Sequence, residues 1–273
     1  MIKNIVVFGL GWQGKQFVRF FKNNNYNIIG VCKTQETKIK VTNEFGINVF
    51  IDYKKCLNNN IDLLVLCAYP IDIYDEIIQY SKNYEYKILS DLPITFDLNK
   101  LNNYISNDKL FLFLLETKTE FFNNYYKKNL EKIKKVNCLV LQNKGNLRQQ
   151  KYLRESVIVD THYMFNNLLG VDNKKLDIRY KFVDRDIKNV EYIIELLLDD
   201  LGKIIYKYED GRGIIVLIDK EGNTKKKTDY IVFDLILREY LKDIENNYNK
   251  INGDYLKNFT YLLNNLLGKK QIM

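Results

Sequence analysis

The segment Gly9-Leu10-Gly11-Trp12-Gln13-Gly14 follows directly on the apolar run Ile5-Val6-Val7-Phe8, and this junction constrains the fold more than any other stretch of the chain. A buried strand that runs into G-x-G-x-x-G and then into a helix needs each glycine for a separate reason. Gly9 lets the chain turn sharply off the strand. Gly11 lets a pyrophosphate come close to the backbone. Gly14 lets the helix pack tightly on the sheet. The unpaired N–H groups and the positive dipole end of that helix then face the phosphates, so Trp12 and Gln13 join the three glycines as dinucleotide-binding candidates. Behind the motif, apolar residues at 17, 18, 20 and 21 fall on one helical face, and Ile28 to Cys32 reads as a second buried strand after a turn at Asn25-Tyr26-Asn27. The spacing is that of a β-α-β unit of about 30 residues. The alternative for the motif taken alone is a glycine-rich turn in another α/β protein.

The same alternation continues. Ile47 to Phe50 reads as a third strand and Ile61 to Ala68 as a central strand buried on both faces, stopped by Tyr69-Pro70. Tyr53 to Asn58 reads as a short helix and Ile73 to Tyr80 as an amphipathic one. Lys87 to Ser90 is a strand that ends at Asp91-Leu92-Pro93, and Leu110 to Leu115 is a sixth. Strands alternating with helices predict a doubly wound parallel sheet. The pattern changes after residue 117. An amphipathic segment spans Phe121 to Ile133, a polar loop spans 143–156, and Val157 to Leu169 reads as a helix. Strands are expected at 136–141, 176–183, 192–198, 203–208 and 213–219, with an Asp-Gly hairpin at Asp210-Gly211. Lys225-Lys226-Lys227 is read as part of a turn, and helices are expected at 230–245 and 253–267. The expected fold class is therefore α/β: a Rossmann domain over residues 1–117, then an α+β domain with an open, largely antiparallel sheet over 118–273.

Composition narrows the function. The 273 residues allow two domains, each with a sizeable core. The four cysteines are scattered without C-x-x-C spacing, and read as small buried side chains in a reducing compartment, not as disulfides or metal ligands. No apolar stretch is long enough for a membrane span, and the first strand starts so early that no signal peptide is expected, which predicts a cytoplasmic protein. The net charge of +8 comes from dispersed lysines mixed with acids, without a basic stripe, so no nucleic-acid partner is expected.

In the order of these landmarks the chain resembles the glucose–fructose oxidoreductase/inositol dehydrogenase (Gfo/Idh/MocA) family. The residues that carry the resemblance are Gly9 to Gly14, the central strand ending at Tyr69-Pro70, Asp91-Leu92-Pro93, and Asp160-Thr161-His162 followed by Leu168-Leu169-Gly170. The resemblance implies a nicotinamide coenzyme, a small-molecule substrate, a homo-oligomer (dimer or tetramer), and a place for Ala68, Tyr69, Pro70, Asp91 and Pro93 at the coenzyme. It also exposes three departures. Leu92 stands where the family has a lysine that helps position or protonate the reacting oxygen. Tyr74 stands where a histidine often follows the central strand. The Asp-x-x-x-His spacing is shortened to Asp160-x-His162.

Proton management therefore falls to other residues. His162 is the only histidine, and the only side chain whose unperturbed pKa lies near neutrality. Its alternative role is a surface or core-edge residue. Asp160 either orients His162 or caps a helix, and Tyr163 is a substitute donor. At the end of the second strand, where a carboxylate would bind the ribose of NAD, the chain has Lys33-Thr34, with Lys38 close behind. A cation and a hydroxyl suit the 2′-phosphate of NADP(H), which is favoured over NAD(H); the alternative is that Lys33 is simply solvated. The expected activity is NADP(H)-dependent hydride transfer with a small carbonyl or imine. The alternatives are an NAD-dependent sugar or polyol dehydrogenase and a catalytically silent dinucleotide-binding sensor.

Overall fold

The computed structural model describes residues 1–57, 60–67, 74–90, 109–113, 121–143, 176–183, 191–198, 202–209, 212–230 and 233–248. The chain divides into two compact units, Met1–Phe113 with Leu237–Asn265, and Leu114–Ile236 with Leu266–Met273.

In the first unit, strands β1 (Asn4–Phe8), β2 (Asn27–Val31), β3 (Asn48–Phe50), β4 (Leu63–Leu66), β5 (Lys87–Ser90) and β6 (Leu110–Leu112) form one parallel sheet in the order β3-β2-β1-β4-β5-β6. All four residues of β4 are buried, as a strand covered on both faces requires. The described helices between these strands are α1 (Trp12–Asn23), α2 (Gln35–Phe45) and α3 (Tyr74–Ser81). The predicted apolar face of α1, Phe17, Val18, Phe20 and Phe21, is buried, and Phe17 meets Phe113 edge to face at 5.1 Å. Residues 53–55 form one short 3₁₀ turn in place of the predicted helix to Asn58.

Helix α4 (Phe233–Glu245) was expected in the second domain, but the structure groups Leu237–Asn265 with the first unit. The reason is its apolar stripe. Leu237, Tyr240, Leu241 and Ile244 are buried, and Tyr240 packs on Phe113 at 5.0 Å. Arg238 lies over the Phe20 ring at 5.6 Å and bonds Asn24, and Glu245 accepts the Ile2 amide at 3.0 Å.

The second unit holds β7 (Ile133–Asn143), β8 (Leu176–Val183), β9 (Glu191–Leu198), β10 (Gly202–Glu209), β11 (Arg212–Ile218) and β12 (Thr224–Tyr230), ordered β12-β11-β10-β9-β7-β8. Only the β7–β8 pair is parallel; the other pairings are antiparallel. Burial alternates along the strands. Ile194, Leu196, Leu198, Ile204 and Tyr206 are buried, while Ile193, Glu195, Leu197, Lys203 and Ile205 are half-buried. Glu209 faces Arg212 on either side of the predicted Asp210-Gly211 hairpin.

One expectation is corrected here. Lys225-Lys226-Lys227 does not lie in a turn: it forms the middle of β12, a strand at the sheet edge, and all three lysines are exposed. Lysine on an edge strand opposes pairing with stray chains, and such a strand needs no apolar alternation. The actual turn precedes it, where the Asp219 carboxylate accepts the Asn223 amide at 2.7 Å and Gly222 adopts φ +87°. The amphipathic segment from Phe121 takes the form of a π-helical turn (Phe121–Tyr126) followed by a 3₁₀ stretch (Lys127–Lys132). Widening the turn to i→i+5 bonding brings residues five apart to one side, and Phe121 and Tyr126 are both fully buried.

Candidate coenzyme site at the strand ends

The register places the ends of three strands side by side. Phe8 pairs with Val31 on one flank and Leu66 on the other, and Leu66 pairs with Ser90 beyond. The chain proceeds from β1 outward to β3 and then crosses to β4 on the opposite flank, so the winding reverses between β1 and β4. Doubly wound sheets bind ligands at such a reversal, outside the carboxyl ends of the strands.

The fingerprint lies there, and its three glycines are required for three distinguishable reasons. Gly9 has φ +96°, which a side chain rarely tolerates, and its amide donates to the Val31 carbonyl at 3.0 Å. A Cβ on Gly14 would lie 1.8 Å from the Gly9 carbonyl oxygen, so helix and turn touch backbone to backbone. The Cys67 thiol donates to the Phe8 and Gly9 carbonyls at 3.3 and 3.2 Å, tying the end of β4 to the turn. Gly11 differs from both. Its φ of −72° suits any residue, and, chain neighbours aside, a Cβ there would meet no atom of the described residues within 4 Å. Neither a positive φ nor packing against the described residues calls for glycine at this position. Gly11 is also the N-cap of α1, and among the described residues no side chain caps its first N–H groups. These residues fit the pyrophosphate of a dinucleotide. Beside Gly11, Trp12 is exposed and Gln13 half-buried.

At the end of β2, Lys33 is exposed and makes no hydrogen bond or ion pair among the described residues. Thr34 has a structural task that the sequence did not reveal: it is the N-cap of α2. Its hydroxyl accepts the Thr37 amide at 3.2 Å and donates to the Thr37 hydroxyl at 2.9 Å. The signal for this was the hydroxyl two residues beyond a strand and just ahead of a polar helix. The cap also places Glu36 in the first turn of α2. Lys38 is half-buried, and its charge acts on the neighbouring Cys32 thiol, whose pKa burial nevertheless pushes up. All four cysteines are free, and burial raises Cys56 to about 11 and Cys138 to about 12, so both stay protonated at neutral pH.

The remaining predicted site residues, Ala68, Tyr69, Pro70, Asp91, Pro93, Asp160, His162 and Tyr163, lie outside the described residues, as does Leu92. Tyr74 is 1% exposed and belongs to the core of the first unit. No helix among the described residues is long and apolar enough to cross a membrane.

Residues 3–107 match the family model of an oxidoreductase family with an NAD-binding Rossmann fold, Gfo/Idh/MocA. No curated protein matches the chain. Among solved structures, the chain is similar to myo-inositol dehydrogenase from Lactobacillus casei in complex with NAD(H) and myo-inositol (12% identity, TM-score 0.70, covering 99% of this chain and 96% of that one). It is also similar to a 3-ketoreductase from Actinomadura kijaniata in complex with NADP (9% identity, TM-score 0.73, 96% of each chain). A third likeness is to biliverdin reductase from Synechocystis in complex with biliverdin and NADP+ (11% identity, TM-score 0.71, 97% of this chain and 98% of that one). At these identities the likeness is one of fold.

Proposed function

We propose that this chain is a member of the Gfo/Idh/MocA oxidoreductases and an NADP(H)-dependent oxidoreductase moving a hydride to or from the carbonyl or imine carbon of a small molecule, a reading supported by the family match over residues 3–107. The observation that carries the coenzyme half of this reading is Gly11, a glycine with a negative φ and, among the described residues beyond its chain neighbours, nothing within 4 Å of its Cβ position, at the start of α1. A bound nicotinamide supplies or accepts the hydride. The chain's own residues hold the coenzyme and handle the proton. The α1 amides bind the pyrophosphate, and Gly9 and Gly14 keep turn and helix in contact so that those amides stay aimed.

The preference for NADP(H) rests on Lys33 and Lys38, two cations at the end of β2 against the single carboxylate of Glu36. Thr34 supports the phosphate less directly than its hydroxyl alone suggests, because that hydroxyl already caps α2. Ala68, Tyr69, Pro70, Asp91 and Pro93, which follow β4 and β5 in the chain, are assigned to the coenzyme's nicotinamide side. His162 is assigned as proton donor, with Asp160 orienting it and Tyr163 as the substitute donor, because Leu92 cannot transfer a proton. The half-open face of the second sheet, with Leu139, Ile193, Leu197, Ile205 and Val216 along it, supports assembly into a homo-oligomer.

The direct test is titration of the full chain with NADPH and with NADH. Tighter binding of NADPH is expected. Equal affinity, or tighter NADH, refutes the coenzyme choice. Saturable binding with no turnover of any carbonyl or imine compound points instead to a dinucleotide sensor.

A further inference from the structure

The fold does not account for Trp12. It is the only tryptophan in the chain, the first residue of α1, and 66% exposed. Among the described residues its indole makes no ring contact and no hydrogen bond. The residues around it are explained: Leu10 is buried under the turn, Gly11 leaves room for a ligand, and Gly14 touches Gly9. Helix formation does not select tryptophan, which ranks below alanine, leucine or glutamate. Core packing does not select it either, because the indole is not in the core. A large apolar ring left in water is unfavourable unless something covers it.

Its position on the helix indicates what does. Cα–Cβ bonds in a helix tilt toward the N-terminus, and a helical side chain covers the turn that precedes its own Cα. At the first helical position that direction is toward the turn Gly9–Gly11, which precedes α1. A ligand held there by the α1 amides lies against the ring.

We propose that Trp12 is the cover of the coenzyme turn: its indole packs over the dinucleotide where the pyrophosphate crosses Gly11, and shields the phosphate hydrogen bonds from water. This rests on reading Gly9–Gly14 as a coenzyme site. The indole loses exposed apolar surface on binding. The amide–phosphate bonds strengthen because they then lie in a medium of lower dielectric.

A single tryptophan makes the proposal directly readable. NADP+ and NAD+ binding to the full chain is measured by equilibrium dialysis, and acrylamide quenching of tryptophan fluorescence is recorded on the same samples. Bound NADP+ is expected to lower the quenching constant severalfold. Trp12→Ala is expected to raise Kd about tenfold, equivalent to about 1.4 kcal/mol, and Trp12→Phe to recover most of that loss. The thermal melts of both variants should match the parent, because the side chain is largely exposed and makes no ring contact or hydrogen bond among the described residues. If NADP+ binds and either the quenching or the affinity of Trp12→Ala is unchanged, the proposal is overturned while the coenzyme site stands. If neither dinucleotide binds, the coenzyme reading itself is overturned and the cover with it.

Discussion

Along β4 in the first unit, Leu63 to Leu66 are buried without exception, whereas along β9 in the second unit Ile193 to Leu198 alternate between buried and half-buried. Both sheets have six described strands, yet they offer different surfaces. A sheet covered on both faces leaves only its strand ends for chemistry, and there the backbone must be shaped residue by residue. A sheet with one open face offers a broad area on which no single residue is decisive. The row Lys226–Val216–Ile205–Glu195–Asn137–Asp177 crosses that open face from one edge to the other. Substitutions at the strand ends should therefore act in an all-or-none manner, and those on the open face by degrees.

The sharpest way to break this comparison is a pair of glycine substitutions. Gly14→Ala drives a Cβ to 1.8 Å from the Gly9 carbonyl oxygen, with backbone on both sides, and should cost about 3 kcal/mol or more of stability. Gly11→Ala meets nothing among the described residues beyond its chain neighbours, so its melt should stay within about 0.5 kcal/mol of the parent while dinucleotide affinity falls at least about tenfold. Thermal unfolding and equilibrium dialysis separate the two. A Gly14→Ala protein as stable as the parent would contradict the backbone contact, and a Gly11→Ala protein of normal affinity would contradict the ligand approach.

His162→Asn sets binding against chemistry. Loss of a positioned acid typically lowers rates by about 10² to 10⁴, so turnover should fall by that range with coenzyme affinity unchanged. Near-normal turnover would make His162 structural. Lys33→Glu should act more narrowly, weakening NADPH about tenfold or more through repulsion of the 2′-phosphate and leaving NADH nearly unaffected. Equal losses for the two coenzymes would remove Lys33 from the phosphate site. On the open face, light scattering should give a mass above that of the 32.6 kDa chain, and Ile205→Lys should shift it toward the monomer. A parent that is already monomeric at micromolar concentration would end the oligomer reading.

The first unit was the more legible in sequence, because its signals are local. A strand, three glycines and a helix lie within 20 residues, and continuous apolar runs mark strands buried on both faces. What sequence could not supply was long-range. Nothing within Phe233–Glu245 says that Tyr240 of its stripe closes on Phe113 or that Arg238 lies over Phe20, both more than a hundred residues earlier. Strand β12 escaped notice because an edge strand is defined by its neighbour β11, not by an apolar rhythm of its own. The cap at Thr34 was hidden because a hydroxyl near a predicted phosphate site and a hydroxyl at a helix start look alike until the helix boundary is known.

The smallest expected effect lies in the middle of the open row and concerns pH. Asn137 donates to the Glu195 carboxylate at 3.0 Å and Lys203 donates to its other oxygen at 3.1 Å, with Lys135 adding a more distant positive charge. Together these hold Glu195 below the usual carboxylate range, the amide bond contributing most. A carboxylate depressed by folding stabilises the protein above its unfolded pKa, and that contribution is lost as pH falls through the folded value. The Lys203 side chain is 39% exposed, so solvent screens the pair and the contribution at neutral pH should be about 1 kcal/mol or less. Glu195→Gln cannot titrate, so the stability gap between parent and variant should be widest near neutrality and shrink once the pH drops below about 4. Thermal melts of both proteins across that range measure the gap. A gap that stays constant with pH would show that the cluster is held together by shape and hydrogen bonding alone, and that charge on the open face does not tune the second unit.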